Sequence, residues 1–588
     1  MGILMEKELI KFIEQNNLSI FNNFKTPLKS INHVFKTKDA KQVYNRLLNI
    51  ISKNFKFAET SNLFNCFAFD NYGEIKKRQN FFSIYYKSIK TANRDFINNI
   101  KKPKKWWKPK YGIIVITDDE KTFTELQNLN MPVKFIVSQQ DLEGLDNYEI
   151  VQVLGCEDYK RVLENLPQTI FLDSEEEVYL ERYLELLSGW KDNLILLKST
   201  SFEDNLVSSS ILKITDKLYP ILILLEESQR EKISKEQIEA SLNLINEKVS
   251  NDLKEISFSG DSLINVLTRG QLPKNVESII KSRISESGLN SFLFNIGIPV
   301  SLDENELEKL LKKQDSEENT STAIKIKKNS EILKRVPEML NELNSLILLY
   351  DFILGIIEFS KEKHEFIELS DDLEILDSKN EFLNSPQPVS FNLNSTFRAS
   401  VLTGANSGGK TTLLEHIIQL IGILNLGITC SGKVKMPYFE EVYYFAKNKG
   451  SLNKGAFETL LSQMSEIKAE KRTLILADEI ESVTEPGVAG TIVAGSIDYF
   501  LKKNCFLVIA THLGKEIKEE IPQKTRIDGI EAKGLDANYN LIVDHNPVLG
   551  RLANSTPELI VEKMANSIKN DYFIFLNTML KRQGSRDK

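Results

Sequence analysis

The stretch Thr403-Gly404-Ala405-Asn406-Ser407-Gly408-Gly409-Lys410-Thr411-Thr412 constrains the fold of this chain more than any other. It fits the spacing G-x-x-x-x-G-K-[ST], in which glycines let the backbone curl until several N–H groups point inward at phosphate oxygens. Such a loop works between a buried strand and a helix N-terminus, whose unpaired N–H groups and partial positive charge attract anions. Both flanks agree. Ala399-Ser400-Val401-Leu402 reads as a buried strand, and Leu413-Leu414-Glu415-His416-Ile417-Ile418-Gln419-Leu420 as a helix with its apolar residues on one side. The implied ligand is a nucleoside triphosphate, cradled by Gly404, Asn406, Ser407, Gly408, Gly409, Lys410, Thr411 and Thr412. Lys410 then reaches the β and γ phosphates and the Thr411 hydroxyl ligates Mg²⁺, so ATP and Mg²⁺ are the expected cofactors.

Hydrolysis needs a metal carboxylate and a base for the attacking water. Thr473-Leu474-Ile475-Leu476-Ala477-Asp478-Glu479 reads as a central parallel strand ending in two acids at the ligand edge of a sheet. Asp478 is the expected metal ligand and Glu479 the expected base, within hydrogen-bond reach of water. An apolar strand ending in Asp-Glu is common by itself and gains weight beside Lys410. Phe506-Leu507-Val508-Ile509-Ala510-Thr511-His512 reads as a further buried strand with a polar end. Its His512 is a structural histidine or a sensor of the γ-phosphate.

These residues together resemble the MutS family of ABC-type ATPases. Thr403 to Thr412 matches the family's T-G-x-N-x-x-G-K-[ST]-T, with Asn406 at its Asn position. Asp478-Glu479-Ile480 followed by Thr484-Glu485-Pro486-Gly487 matches the segment around its catalytic acid, and Ala510-Thr511-His512 its switch. Phe457-Glu458-Thr459-Leu460-Leu461-Ser462-Gln463-Met464 stands in the place of the signature that faces the other subunit's nucleotide. The resemblance therefore implies a homodimer with Glu458, Thr459 and Ser462 on the trans side of a composite site. Ala405 replaces the usual Pro, Glu458 the signature Ser, and Glu481 and Val483 replace glycines. A glutamate at position 458 repels the γ-phosphate unless it is turned away or meets a cation. Asn546 to Ile560 looks like the C-terminal block of archaeal MutS-like paralogues, and Glu74 to Phe82 like the family's first core segment. The resemblance covers residues 365 to 588 closely and the rest in outline.

At 588 residues, several domains are expected. The net charge of −7 means that any nucleic-acid surface is local. Four cysteines, Cys66, Cys156, Cys430 and Cys505, are far apart, which argues against zinc and against a secreted disulfide framework. The start turns charged too soon for a signal peptide, and the apolar run Leu218 to Leu225 is too short to span a bilayer. A cytoplasmic protein without a membrane segment is expected.

The expected fold is a C-terminal α/β ABC-type P-loop ATPase domain, preceded by a long all-helical core and lever region and a small N-terminal α/β module. Residues 1–110 read as mostly helical, 111–172 as the small α/β module, and 173–364 as a helical core with lever and clamp arms. Residues 365–548 read as the ATPase domain and 549–588 as a helical tail suited to dimerisation. The module's strands are expected at Gly112–Ile116, Val133–Val137 and Ile150–Leu154, with a helix over Asp119–Leu129. In the helical region Ile238, Leu242, Ile245, Val249, Leu253 and Ile256 step by three and four. A second series is Ile332, Val336, Leu340, Leu343, Ile347, Tyr350, Leu354 and Ile357. Such helices suit clamp arms or an ordinary bundle, and Gln314 to Ala323 reads as a loop or arm tip. Between residues 101 and 110 stand six lysines and two tryptophans. Lys104, Lys105, Trp106 and Trp107 suit phosphate clamping and base stacking, and equally a solvated linker.

The function expected is an ATP-driven clamp on DNA acting at branched or recombining duplexes. The alternative is a ribosome-associated quality-control ATPase, because phosphate backbones of either polymer demand similar lysines and arginines. Mismatch sensing is not expected: Phe57-Ala58-Glu59 has the letters of the family's Phe-x-Glu wedge without its surrounding segment. The Smr nuclease domain of the bacterial second-branch paralogues is likewise expected to be missing.

Overall fold

The structure is a computed structural model that describes residues 2–21, 33–67, 72–89, 94–102, 112–128, 131–166, 168–179, 186–202, 205–226, 234–254, 256, 272–311, 314, 324, 327–404, 408–447, 454–479, 486–518, 520–535, 541–553, 556–568 and 570–584. The chain forms two compact units, one of residues 1–100, 200–212 and 342–588, the other of residues 101–199 and 213–341. The protein is mixed α/β.

The first unit is built on a five-stranded parallel sheet. In spatial order its strands are Glu441–Phe445, Thr473–Asp478, Phe506–Ala510, Ala399–Gly404 and Thr525–Ile530. Parallel strands are covered on both faces and read as continuous apolar runs. Thr473–Asp478 and Phe506–Ala510 are accordingly buried at every position. Val401, Ile475, Ala477, Leu507 and Ile509 pack with Ala489, Val493 and Ile497 of the helix Pro486–Lys502.

Helix Lys410–Leu426 contacts the same sheet and also the helices Lys38–Ser52 and Tyr72–Ser88. Its sequence suggests one apolar side, yet every residue from His416 to Leu426 is buried. The His416 and Gln419 side chains and the Asn425 main-chain carbonyl find partners inside the protein. His416 Nε2 lies 3.1 Å from Ser378 Oγ, Gln419 Nε2 donates to Asn380 Oδ1 at 3.0 Å, and Arg78 donates to the Asn425 carbonyl. Burial pushes the His416 imidazole down to about 4, so it stays neutral.

A second sheet, absent from the sequence reading, orders Val389–Leu393, Leu373–Ser378, Lys433–Met436 and Glu368–Leu369. Both edges of the parallel sheet are met by other chain segments. Val442 donates to Val34 O at 2.8 Å and Lys36 to Val442 O at 2.9 Å, and Gly529 and Val548 exchange backbone hydrogen bonds at 3.0 and 2.8 Å.

The second unit contains a four-stranded parallel sheet with Val133–Phe135, Ile113–Thr117, Ile150–Leu154 and Thr169–Phe171 in spatial order. The strand Thr169–Phe171 was not expected from the sequence, and a helix over Glu120–Asn128 follows the strand Ile113–Thr117. Ile245 and Val249 of helix Lys235–Leu253 pack with Val276, Ile280 and Ile284 of helix Lys274–Glu286. This region is not all-helical as expected: Phe294–Asn295 pairs antiparallel with Ser301–Leu302. Gly297 and Pro299 between them favour a turn over a helix. Of the loop 314–323, only Gln314 is described.

Among the described residues one stretch, Ser330–Phe359, is apolar and long enough to cross a bilayer, but 78% of its most apolar window is buried inside the protein. All four cysteines are free.

Candidate nucleotide-binding site

Register brings the site together. Leu402 and Asp478 both pair with Ala510, so three neighbouring strands end level with one another. The residues just beyond, Thr403-Gly404, Glu479 and Thr511-His512, emerge side by side at the carboxyl edge, where open α/β sheets hold ligands. Gly404 sits at φ +130°, and a Cβ there would lie 2.3 Å from the Ile530 carbonyl oxygen, so the strand turns into the loop only with glycine. Gly409, at φ +93°, starts the helix at Lys410.

Lys410 is the first residue of that helix and is 2% exposed. Its Nζ donates to Gly404 O at 2.7 Å and lies 3.3 Å from His512 Nε2 and 3.7 Å from Glu479 Oε1. Thr411 Oγ1 donates to Asp478 Oδ2 at 2.5 Å. Asp478 Oδ1 is buried without a hydrogen-bond partner among the described atoms. A buried carboxylate with an unused oxygen beside a hydroxyl is a donor set for a hard divalent cation. Burial pushes the Asp478 carboxyl above its ordinary value and the neighbouring Glu479 charge adds to this, while the Thr411 hydroxyl opposes it. A cation at that place would offset the cost of keeping the carboxylate ionised.

Glu479 has φ +47°, a left-handed backbone that costs a non-glycine residue on the order of 1–3 kcal/mol and recurs at functional sites. Its N–H donates to Ala510 O at 2.8 Å, which ties it to the neighbouring strand. Oε1 lies 2.9 Å from His512 Nε2, and Oε2 pairs with Lys447. Burial pushes the carboxyl up, but Lys447, His512 and Lys410 together outweigh it and hold the group below the ordinary carboxylate value. Glu479 is thus an ionised carboxylate held between Lys410, Lys447 and His512.

Two members of the site carry no signal in sequence. Lys447 is one of many lysines, two residues past the strand Glu441–Phe445. His545 Nδ1 lies 2.8 Å from Gly408 O, although their separation is 137 residues.

Other expected site residues stand apart from this group or outside the described residues. Thr412 follows Thr411 on the helix, its carbonyl accepting from Asn380 Nδ2 at 3.0 Å. Glu458 and Ser462 are exposed on the helix Lys454–Ser465, which also carries Thr459, whose side chain is not described. Asn406 and Ser407 of the loop, Glu481 and Val483, and the nucleic-acid candidates Lys104, Lys105, Trp106 and Trp107 all lie outside the described residues. Phe57 and Glu59 are both 8% exposed, and Glu59 Oε2 accepts from Asn62 Nδ2 at 2.6 Å.

The chain is 28% identical over 579 residues to the "DNA-binding protein MutS2" of Pyrococcus furiosus, covering 92% of this chain and 99% of that protein. It is similar to proteins named MutS2. To the "Endonuclease MutS2" of Caldanaerobacter subterraneus it is 24% identical over 451 residues, covering 71% of this chain and 55% of that protein. For the Clostridium tetani protein of the same name the identity is 23% over 418 residues, with 67% and 50% covered. The chain thus spans nearly the whole archaeal MutS2 and about half the length of these bacterial ones. No protein-family model matches it.

Proposed function

We propose that this MutS relative is an ATP-hydrolysing clamp that binds DNA and acts as a dimer on branched or recombining duplexes in repair or recombination. One observation carries the ATPase reading: Lys410, Thr411, Asp478, Glu479 and His512 meet at one sheet edge behind a glycine-rich loop. Lys410 binds the β and γ phosphates, while loop N–H groups and the residues Asn406, Ser407 and Thr412 complete the cradle. Thr411 and Asp478 hold Mg²⁺, which when bound neutralises phosphate charge. Glu479 takes a proton from the attacking water, and His512 hydrogen-bonds the γ-phosphate. Residues 365–548 form the ATPase domain in this reading, with arms in 173–364, a connector in 111–172 and a dimerising tail in 549–588.

The archaeal relative's name supports DNA as the polymer. Burial of Phe57 and Glu59 argues against a wedge inserted at mispairs. Exposed Glu458 and Ser462 are accessible to a second subunit. Lys104, Lys105, Trp106 and Trp107 remain the proposed backbone and base contacts.

The test uses the purified full chain with labelled four-way junction and linear duplex, with and without a nonhydrolysable ATP analogue. Tighter binding to the junction, a binding constant that falls steeply with salt, and a doubled mass with nucleotide are expected. Because coupling is reciprocal, the analogue must change DNA affinity by the same factor that DNA changes analogue affinity. Equal binding to both duplexes, together with sedimentation on ribosomes from nuclease-treated lysate, would replace DNA by the ribosome as target.

A metal prediction follows from the unused Asp478 oxygen. Thr411→Ala raises the Mg²⁺ concentration for half-maximal analogue binding by at least about tenfold, the lower end of what losing a supporting contact costs. An unchanged Mg²⁺ titration removes Thr411 from the metal site.

A further inference from the structure

The two oxygens of Glu479 have different neighbours. Oε1 faces His512 and Lys410, the groups assigned to phosphate, at 2.9 and 3.7 Å. Oε2 is held by Lys447, which belongs to no nucleotide motif and follows the edge strand Glu441–Phe445.

Residues from the start of the chain fix the backbone that carries Lys447. Thr37 Oγ1 donates to Tyr444 O at 2.7 Å and accepts from Tyr444 N at 3.0 Å. Asp39 Oδ2 accepts from Ala446 N at 3.1 Å. The same Thr37 hydroxyl caps helix Lys38–Ser52 by accepting from Ala40 N, so a helix start and a sheet margin share one clamp. Ordering a lysine stem costs side-chain entropy, and a pre-fixed backbone leaves only that stem to order.

We propose that Lys447 is a positioning residue that pins Glu479 Oε2, so that Oε1 is the oxygen presented to the attacking water once Lys410 and His512 engage phosphate. The proposal rests on the ATPase reading above. The last torsion of a glutamate is broad and two-fold, so a carboxylate without an anchor offers its oxygens interchangeably and at variable angles. General-base transfer requires one oxygen within about 2.6–3.2 Å of the water. In the step itself, Oε1 takes a proton as the water oxygen bonds to the γ-phosphorus. The bond from that phosphorus to the β–γ bridging oxygen breaks, leaving ADP and phosphate. Lys447 exchanges no proton. The competing account is an inert, partly exposed ion pair without effect on turnover.

Full-length Lys447→Met and Lys447→Arg distinguish the two. The anchor predicts that Lys447→Met lowers kcat by about 10- to 100-fold, the scale of a small misplacement of a reacting group. Affinity for a fluorescent ATP analogue should stay within about twofold, because no ground-state phosphate contact is lost. Lys447→Arg should restore most of the turnover, and Asp39→Ala should show a smaller loss of kcat in the same direction. In a double-mutant cycle on the unfolding midpoint, Lys447→Met and Glu479→Ala, which removes both carboxylate oxygens, should be non-additive. Additive unfolding effects, or a Lys447→Met kcat equal to or above wild type in an actively hydrolysing protein, would overturn the anchor alone. Absence of ATP turnover in the wild type would remove the ATPase reading, and the anchor with it.

Discussion

Lys410→Ala is expected to weaken nucleotide binding by about 100-fold or more, the scale of removing one partner from a buried, charge-assisted contact. Its Nζ is enclosed by Gly404 O, His512 Nε2 and Glu479 Oε1, and the side chain is 2% exposed. Alanine removes the cation nearest the loop and leaves the Glu479 carboxylate to repel the triphosphate. Arginine is a poor substitute, since a planar guanidinium needs room that this enclosure lacks. Titration of a fluorescent ATP analogue measures the effect. Equal affinity in wild type and Lys410→Ala would mean that the phosphates bind elsewhere.

Glu479→Gln separates binding from chemistry. Turnover should fall by about 10²- to 10⁴-fold, the usual contribution of a positioned general base. The amide keeps the size of the side chain and an oxygen for Lys447, so the scaffold is preserved. Removing one negative charge from the ring of Lys410, Lys447 and His512 should leave nucleotide affinity equal or higher. Single-turnover hydrolysis against analogue binding reads both quantities. Turnover that survives the substitution would show that a different group activates the water.

Local patterns were legible in the sequence, and distant pairings were not. The strand, loop and helix from Ala399 to Leu426 are visible because glycine spacing and an apolar run are contiguous. The acids at 478 and 479 are visible for the same reason, since a buried strand ends on them. The enclosure of the helix Lys410–Leu426 is not, because His416 and Gln419 look solvent-facing until Ser378 and Asn380 supply their partners. Lys447 is silent for a deeper reason: Asp39 and Ala446, whose hydrogen bond sets its backbone, are separated by 407 residues. The second sheet was missed because its pairings join segments far apart in the chain, Lys435 lying opposite both Glu368 and Glu374. The hairpin at Phe294–Leu302 was submerged in helical surroundings.

The segments lying along the margins of the parallel sheet limit how copies of this protein can associate. An open strand margin offers its amides and carbonyls to any extended peptide and invites runaway pairing between molecules. Here Val34–Lys36 occupies the flank at Val442, and Val548 occupies the flank at Gly529. Self-assembly by continuous strand addition is therefore obstructed near one end of each outer strand, at Val442 and at Gly529, and fibril-like growth would first require residues 34–36 or 548 to peel away.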